Sequence, residues 1–226
     1  MPELVEVTKN YTVYSLDEML ADDKLKEKLL KANEPDELEV ESDLRTEIEE
    51  LYSQLEEKGF MNPNILYDIS YCQGSGACFD CDDISLQKVL KDVYKDLGLS
   101  EEDYNIIVKL EEDDFIKYCT YTNSYANHYC HSKTRYIAEK YNYDYDDYPE
   151  YARSHWKNDN DEMDEIFGED GTIMRYLVEE YQNSCYKIYK QLQDRYEYII
   201  SEKYISQDLR ENGYNKFLED GTIFNY

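Results

Sequence analysis

The chain reads as an α+β protein, an antiparallel sheet around a central hairpin, covered by three or more helices with one long helix near the C-terminus. Three features point there. Residues 65–79 alternate and reverse as a hairpin does, with Ile65, Tyr67, Ile69 and Tyr71 on one side and Leu66, Asp68 and Ser70 on the other. Gly74 and Gly76 supply the backbone freedom of a tight reversal, and residues 77–79 begin the return strand. Apolar residues recur at helical spacing over 43–58, 85–97 and 172–200. Finally, 226 residues with 41% hydrophobic content can bury a proper core, so 1–226 is expected to be a single domain.

The elements follow in order. Residues 5–14 predict an opening strand, and Ser15-Leu16-Asp17-Glu18 is a capping box. Leu16, Met19, Leu20, Leu25, Leu29 and Leu30 mark the buried faces of one or two short helices. Residues 34–41 are expected to be an acidic connector. A helix capped by Ser42 follows, with Leu44, Ile48, Leu51, Tyr52 and Leu55 on one stripe and Gly59 at its end. Asn62-Pro63-Asn64 forms the loop before the hairpin.

Beyond the hairpin, Ser85 is expected to cap a helix carrying Leu86, Val89, Leu90, Val93, Tyr94 and Leu97, closed by Gly98. The β-branched and aromatic stretches 104–110 and 115–122 predict a second antiparallel pair joined by an acidic turn at 111–114. Residues 126–145 predict one or two more strands. Between 141 and 170, 11 acids stand against only Arg153 and Lys157, with little apolar period. That composition predicts a surface loop or insertion with a short helix near 161–167. Thr172 is expected to cap the longest helix, with Ile173, Leu177, Tyr181, Cys185 (or Ser184), Ile188, Leu192, Tyr196 and Ile199 on one stripe. A break is expected near Ser201 or Ser206, an end at Gly213, and a terminal strand within 214–226. Glu-Asp-Gly-Thr-Ile occurs at 169–173 and again at 219–223, as two Asp-Gly turns with different flanks rather than a repeat.

Composition narrows the function. A net charge of −28 repels nucleic-acid backbone and anionic membrane, so direct nucleic-acid binding and membrane association are disfavoured. A strongly acidic surface can instead occupy the basic groove of another protein, steered there electrostatically. The 26 tyrosines supply either half-buried core or an aromatic recognition surface. The start at Met1-Pro2-Glu3-Leu4 lacks the pattern of a secretory signal, and no run has the length of a membrane span. On those features the chain is expected to be cytosolic, with its six cysteines reduced.

Three segments together resemble a widespread group of phage- and plasmid-borne proteins that are often labelled antitoxin-like. Residues 13–20, Val-Tyr-Ser-Leu-Asp-Glu-Met-Leu, are similar to that group's opening V-Y-x-F-D-E-L. Residues 71–79, Tyr-Cys-Gln-Gly-Ser-Gly-Ala-Cys-Phe, resemble its Y-S-Q-G-D-G-A-C/S-F hairpin. The stretch from Glu197-Tyr198-Ile199 to Leu218-Glu219-Asp220-Gly221 is similar to its tail. Cys72 and Ser75 depart from the pattern, which puts in doubt any role that needs an Asp between the glycines. The resemblance implies a mobile-element protein and no particular mechanism.

Candidate chemistry is sparse. Gly74-Ser75-Gly76 leads into a strand with no adjacent lysine, which does not fit a phosphate loop. Cys78 and Cys81 are spaced as Cys-x-x-Cys, with Cys72 nearby and His128, Cys130 and His131 further on. These are weak zinc candidates, because the second half has no standard spacing. His128, His131 and His155 come without a catalytic signature. No cofactor and no enzymatic activity are expected.

The expectation is an acidic interaction protein that binds and inhibits a host or rival protein, such as a defence nuclease, by nucleic-acid mimicry. Its contact residues would be Asp144, Tyr145, Asp146, Asp147, Tyr148, Asp161, Glu162, Asp164 and Glu165. The alternative is a small regulatory or antitoxin-like module that works through the hairpin residues Gln73, Gly74, Ser75 and Gly76.

Overall fold

A computed structural model describes residues 10–69, 75–121, 136–139, 147–156, 160–168 and 170–224. The chain divides into two compact units, one of Met1–Leu44 with Asp194–Tyr226 and the other Arg45–Gln193. The architecture is α+β with an antiparallel sheet, as the sequence predicts.

The sheet lies in the Arg45–Gln193 unit. Its strands are β1 (Phe60–Met61), β2 (Asn64–Asp68), β3 (Gly76–Ile84), β4 (Tyr118–Tyr121) and β5 (Tyr136–Glu139), ordered β1-β3-β4-β5, with β2 also paired to β3. β1 and β2 lie one after the other along the same edge of β3, from Phe60↔Ile84 to Asp68↔Gly76. Asn62, at φ 50, and Pro63, which has no N–H to donate, interrupt them. β4 takes the other edge, pairing Cys81↔Thr120 and Ile84↔Tyr118 across a register shift. Paired on both edges, β3 is buried without a break from Gly76 to Phe79.

Phe79 sits at the centre of that core. Its ring packs edge-on against Phe60 at 5.0 Å and tilted, at 39°, against Tyr181 at 4.6 Å. The Tyr181 hydroxyl donates to the Phe79 carbonyl at 2.8 Å and accepts from the Phe79 N–H at 3.3 Å. Burial pushes the Tyr181 hydroxyl pKa far up, so it stays a neutral donor. Thr120 completes the network, accepting from the Cys81 N–H at 2.8 Å and donating to the Phe79 carbonyl at 3.2 Å.

Helices cover this sheet as expected. α3 (Glu37–Lys58) buries Leu51 and Leu55, and Gly59, at φ +107, ends it where a Cβ would come within 2.7 Å of Val89. α4 (Leu86–Leu90), α5 (Glu101–Glu112), α6 (Glu150–His155) and α7 (Asn160–Phe167) follow. The longest is α8 (Thr172–Ile199), which buries Ile173, Leu177, Tyr181, Ser184, Cys185, Ile188 and Leu192 in this unit.

In the other unit, α1 (Leu16–Ala21), α2 (Asp23–Ala32) and α9 (Glu202–Glu211) enclose Leu16, Met19, Leu29, Ile205, Leu209 and Phe217. The Ser15 capping box forms as predicted: the Ser15 N–H donates to Glu18 at 2.8 Å and the Glu18 N–H to the Ser15 hydroxyl at 3.3 Å. The break at Ser201 is present too, and Ser201 caps α9. In the second Glu-Asp-Gly, the Thr222 N–H donates to Asp220 at 3.0 Å, and Gly221, at φ +89, presses on the Lys28 carbonyl.

Several expectations are corrected. The run 37–41 is not a connector, because α3 starts at Glu37 and Asp36, not Ser42, caps it. The Glu39 N–H donates to Asp36 Oδ1 at 2.9 Å, and the acids of the first turn suit the positive end of the helix. Residues 104–110 are helix α5 rather than a strand, so β4 pairs with β3 and β5 instead. The helix after Ser85 is α-helical only to Leu90 and continues as turns to Gly98. Gly171, not Thr172, stands at the start of α8, its carbonyl accepting from the Arg175 N–H at 3.0 Å. Of the opening strand expected over 5–14, residues 5–9 lie outside the described residues; over 10–14 and 214–224 the described residues make isolated bridges, Tyr14↔Phe217 and Phe217↔Ile223, rather than a strand. The short helix expected near 161–167 is present as α7, but the stretch around it is not a plain surface loop: it also holds α6, and Tyr148, Ala152, Trp156, Met163 and Phe167 are buried.

Candidate functional site

Ser100 and Asp103 start α5 with a reciprocal capping box. The Ser100 N–H donates to Asp103 Oδ2 at 2.8 Å, and the Asp103 N–H donates to the Ser100 hydroxyl at 3.1 Å. The box holds the Asp103 carboxylate in place for α6. His155 Nε2 lies 2.8 Å from Asp103 Oδ1, and the Trp156 indole N–H donates to the same oxygen at 2.9 Å. The Ser100 hydroxyl donates to Oδ2 at 2.6 Å. Burial alone would raise the Asp103 pKa, but the hydrogen bonds from Ser100, His155 and Trp156 outweigh it and hold the carboxyl below its ordinary value.

α6 runs antiparallel to α5. Its C-terminal His155 meets Glu102 and Asp103 at the start of α5, while Tyr151 meets Lys109 and Asp113 towards the end. Between the helices opens a groove of about 610 Å³, lined by Glu102, Asn105, Ile106, Lys109, Tyr151, Ser154 and His155. Tyr151 donates to Asp113 Oδ2 at 2.8 Å. Burial, and then this acceptor, push its hydroxyl pKa far up. The Lys109 ammonium sits 3.9 Å from the Tyr151 ring centroid and makes no ion pair among the described residues. His155 Nδ1 faces Glu102 at 3.5 Å. Because the Ser100 hydroxyl bonds Asp103 rather than His155, these three residues do not form a nucleophile, base and orienting acid. The groove offers recognition chemistry: opposite charges, amide and hydroxyl groups, and an apolar floor at Ile106.

The predicted site residues are distributed differently. Asp147 and Glu165 are exposed. Tyr148 is buried between Phe115 and Phe167, its ring 6.4 Å from each, so it packs the core and cannot serve a partner surface. Asp161, Glu162 and Asp164 lie on α7, and their side chains fall outside the description; Asp144, Tyr145 and Asp146 lie outside the described residues altogether. In the hairpin, Ser75 is half-buried and Gly76 buried, while Gln73 and Gly74 fall outside the description.

Of the zinc candidates, Cys78 and Cys81 are buried in β3, and Cys72, His128, Cys130 and His131 are not among the described residues. No group of three or more His, Cys, Asp or Glu poised for a metal occurs among the described residues. Burial, before any other cause, pushes the Cys81 thiol pKa up.

The groove was not foreseen. The one local signal for it was the Ser-x-x-Asp pattern at 100–103. A second, smaller cavity of about 250 Å³, lined by Asp43, Tyr204 and Asp208 among others, lies in the other unit. There Tyr204 donates to Asp43 at 2.6 Å, a bond that, with some burial, pushes the Tyr204 pKa up to about 12. No helix among the described residues is long and apolar enough to cross a membrane. Comparison with protein-family models, with curated proteins and with solved structures gave no match.

Proposed function

We propose that this chain is a non-enzymatic interaction protein of a mobile element that binds and inhibits a host or rival protein through its acidic surface. The specific form is nucleic-acid mimicry, in which carboxylates take the places of phosphates in the partner's basic groove. The observation that carries it is the imbalance of 52 acidic against 24 basic side chains. Exposed acids support it around α5 and α6: Glu101, Glu102, Glu112, Asp113, Asp114, Asp147 and Glu150, with Glu165 on α7. Partners of this kind are nucleic-acid-binding defence proteins in the cytosol.

The test is affinity for a purified defence nuclease as a function of salt, with the wild type and a variant carrying Asp/Glu→Asn/Gln changes at Asp144, Asp146, Asp147, Glu162 and Glu165. Mimicry requires affinity to fall steeply with ionic strength and to fall again on neutralisation. Affinity indifferent to both would exclude it.

A further inference from the structure

We propose that the α5–α6 groove is the docking site for a helical segment of a partner protein bearing one basic and one acidic side chain two turns apart, with an apolar residue between them. The proposal rests on the partner-binding reading above and names the place and chemistry of the contact. Glu102, Asn105, Ile106 and Lys109 follow the i, i+3, i+4, i+7 spacing of one helical face, and Tyr151, Ser154 and His155 form the facing stripe of α6. Two antiparallel helices with a furrow between them present the shape that a third helix fills.

The charges determine what that helix carries. One end of the groove is acidic at Glu102, whose carboxylate is largely exposed beside His155. The other end of the lining carries Lys109, a cation stacked on Tyr151 that makes no ion pair among the described residues, with Asp113 held on the hydroxyl of the same tyrosine. At a rise of 1.5 Å per residue, the seven positions from Glu102 to Lys109 span about 10 Å, the distance over which a partner helix places side chains at i and i+7. Ile106 lies midway, half-buried, where an apolar i+3 or i+4 side chain would land. A simple anion is disfavoured by Glu102 and a simple cation by Lys109, which leaves a ligand carrying both charges. Asp103 accepts four hydrogen bonds that fix the end of α6 to the start of α5, so docking costs little ordering of the two walls at that end.

The experiment uses the full chain and four fluorescein-labelled Ala-based helical peptides with Leu at i+4. They carry Lys/Glu, Glu/Lys, Lys/Lys or Glu/Glu at i and i+7, and binding is read by fluorescence polarisation. One mixed-charge peptide is expected to bind about tenfold tighter than either like-charged peptide. Lys109→Glu, an exposed change whose folding is checked by circular dichroism, is expected to move the preference to the Lys/Lys peptide.

Equal binding of all four, no binding of any, or a ranking that Lys109→Glu leaves unchanged would overturn the groove proposal. Binding that simply rises with peptide positive charge would also overturn it, while leaving the broader acidic-surface reading standing. Self-association of the protein alone, abolished by Lys109→Glu, would assign the groove to a second copy and likewise overturn a partner helix.

Discussion

Helix α4 has a cap that comes from another element, and removing it should cost stability in a pH-dependent way. Ser85 stands at its N-terminus but makes no side-chain cap. Instead the Glu111 carboxylate, at the end of α5, accepts from the Leu86 N–H at 2.6 Å and the Gln87 N–H at 3.1 Å. Leu86 is almost fully buried, so its amide has no ready replacement partner in water. Glu111→Ala should cost about 1–2 kcal/mol, the combined range for losing an N-terminal cap and leaving a buried donor unpaired, less the relief of burying a charge. Glu111→Gln keeps one acceptor oxygen and should cost under about 1 kcal/mol.

The pH dependence has a definite sign. Burial, chiefly, raises the Glu111 pKa above its ordinary 4.5, against the lowering effect of the two amides. The folded state therefore holds more protons than the unfolded just above 4.5. Stability from this group is greatest below that value and declines as pH rises through the folded pKa. Urea denaturation followed by circular dichroism from about pH 4 to about pH 7 should show the wild type losing ground to Glu111→Gln across that window. Amide exchange at Leu86 and Gln87 should quicken in Glu111→Ala. A Glu111→Ala variant within about 0.5 kcal/mol of wild type would refute the capping role, and a wild-type to Gln difference flat with pH would refute the raised pKa.

Three further outcomes are expected. Tyr181→Phe removes the buried hydroxyl that bridges α8 to both backbone groups of Phe79 and should cost about 1–3 kcal/mol in urea denaturation. Asp103→Asn presents an amide donor to groups that already donate, so it should loosen α6 from α5. The readout is a red shift and loss of intensity in the fluorescence of Trp156, the single tryptophan. Gly221→Ala places a Cβ 2.4 Å from the Lys28 carbonyl at a φ of +89 and should destabilise by more than about 2 kcal/mol, seen as a lowered thermal midpoint.

Local rules carried far into this fold where partners are close in sequence. The Ser15–Glu18 box, the α3 and α8 stripes, the Ser201 break and the β2–β3 pair all depend on neighbours a few positions apart, and all were legible. α5 shows the conflict between two local signals. Ile106, Ile107 and Val108 favour a strand by propensity, yet Ser100-x-x-Asp103 opens a helix, and Ile107 and Leu110 fall on its buried face. The cap and the three-residue spacing won over β-branching. α6 was hidden for a different reason: Ala152 is its one buried residue, too few to show a period, whereas α7 is the short helix expected near 161–167. The candidate groove was out of reach because its anchor joins Asp103 to His155 and Trp156, more than fifty positions away, and no local pattern encodes that pairing.

The abundance of tyrosine acquires a physical account from the same contacts. With 52 acids and 24 bases, cations are too few to pair with every carboxylate. Tyrosine hydroxyls act as donors in their place: Tyr151 to Asp113 at 2.8 Å, Tyr204 to Asp43 at 2.6 Å, and Tyr104 and Tyr181 to the carbonyls of Gln87 and Phe79. A phenol near a carboxylate stays protonated, as the raised pKa values of Tyr151 and Tyr204 indicate, so these donors add no charge of their own. At the exposed Asp113 and the half-buried Asp43 a tyrosine thus supplies a neutral donor, and Asp43 meets Arg195 as well at 3.7 Å. Neutral donors of this kind leave the net charge of −28 unchanged, where lysines or arginines in the same places would reduce it.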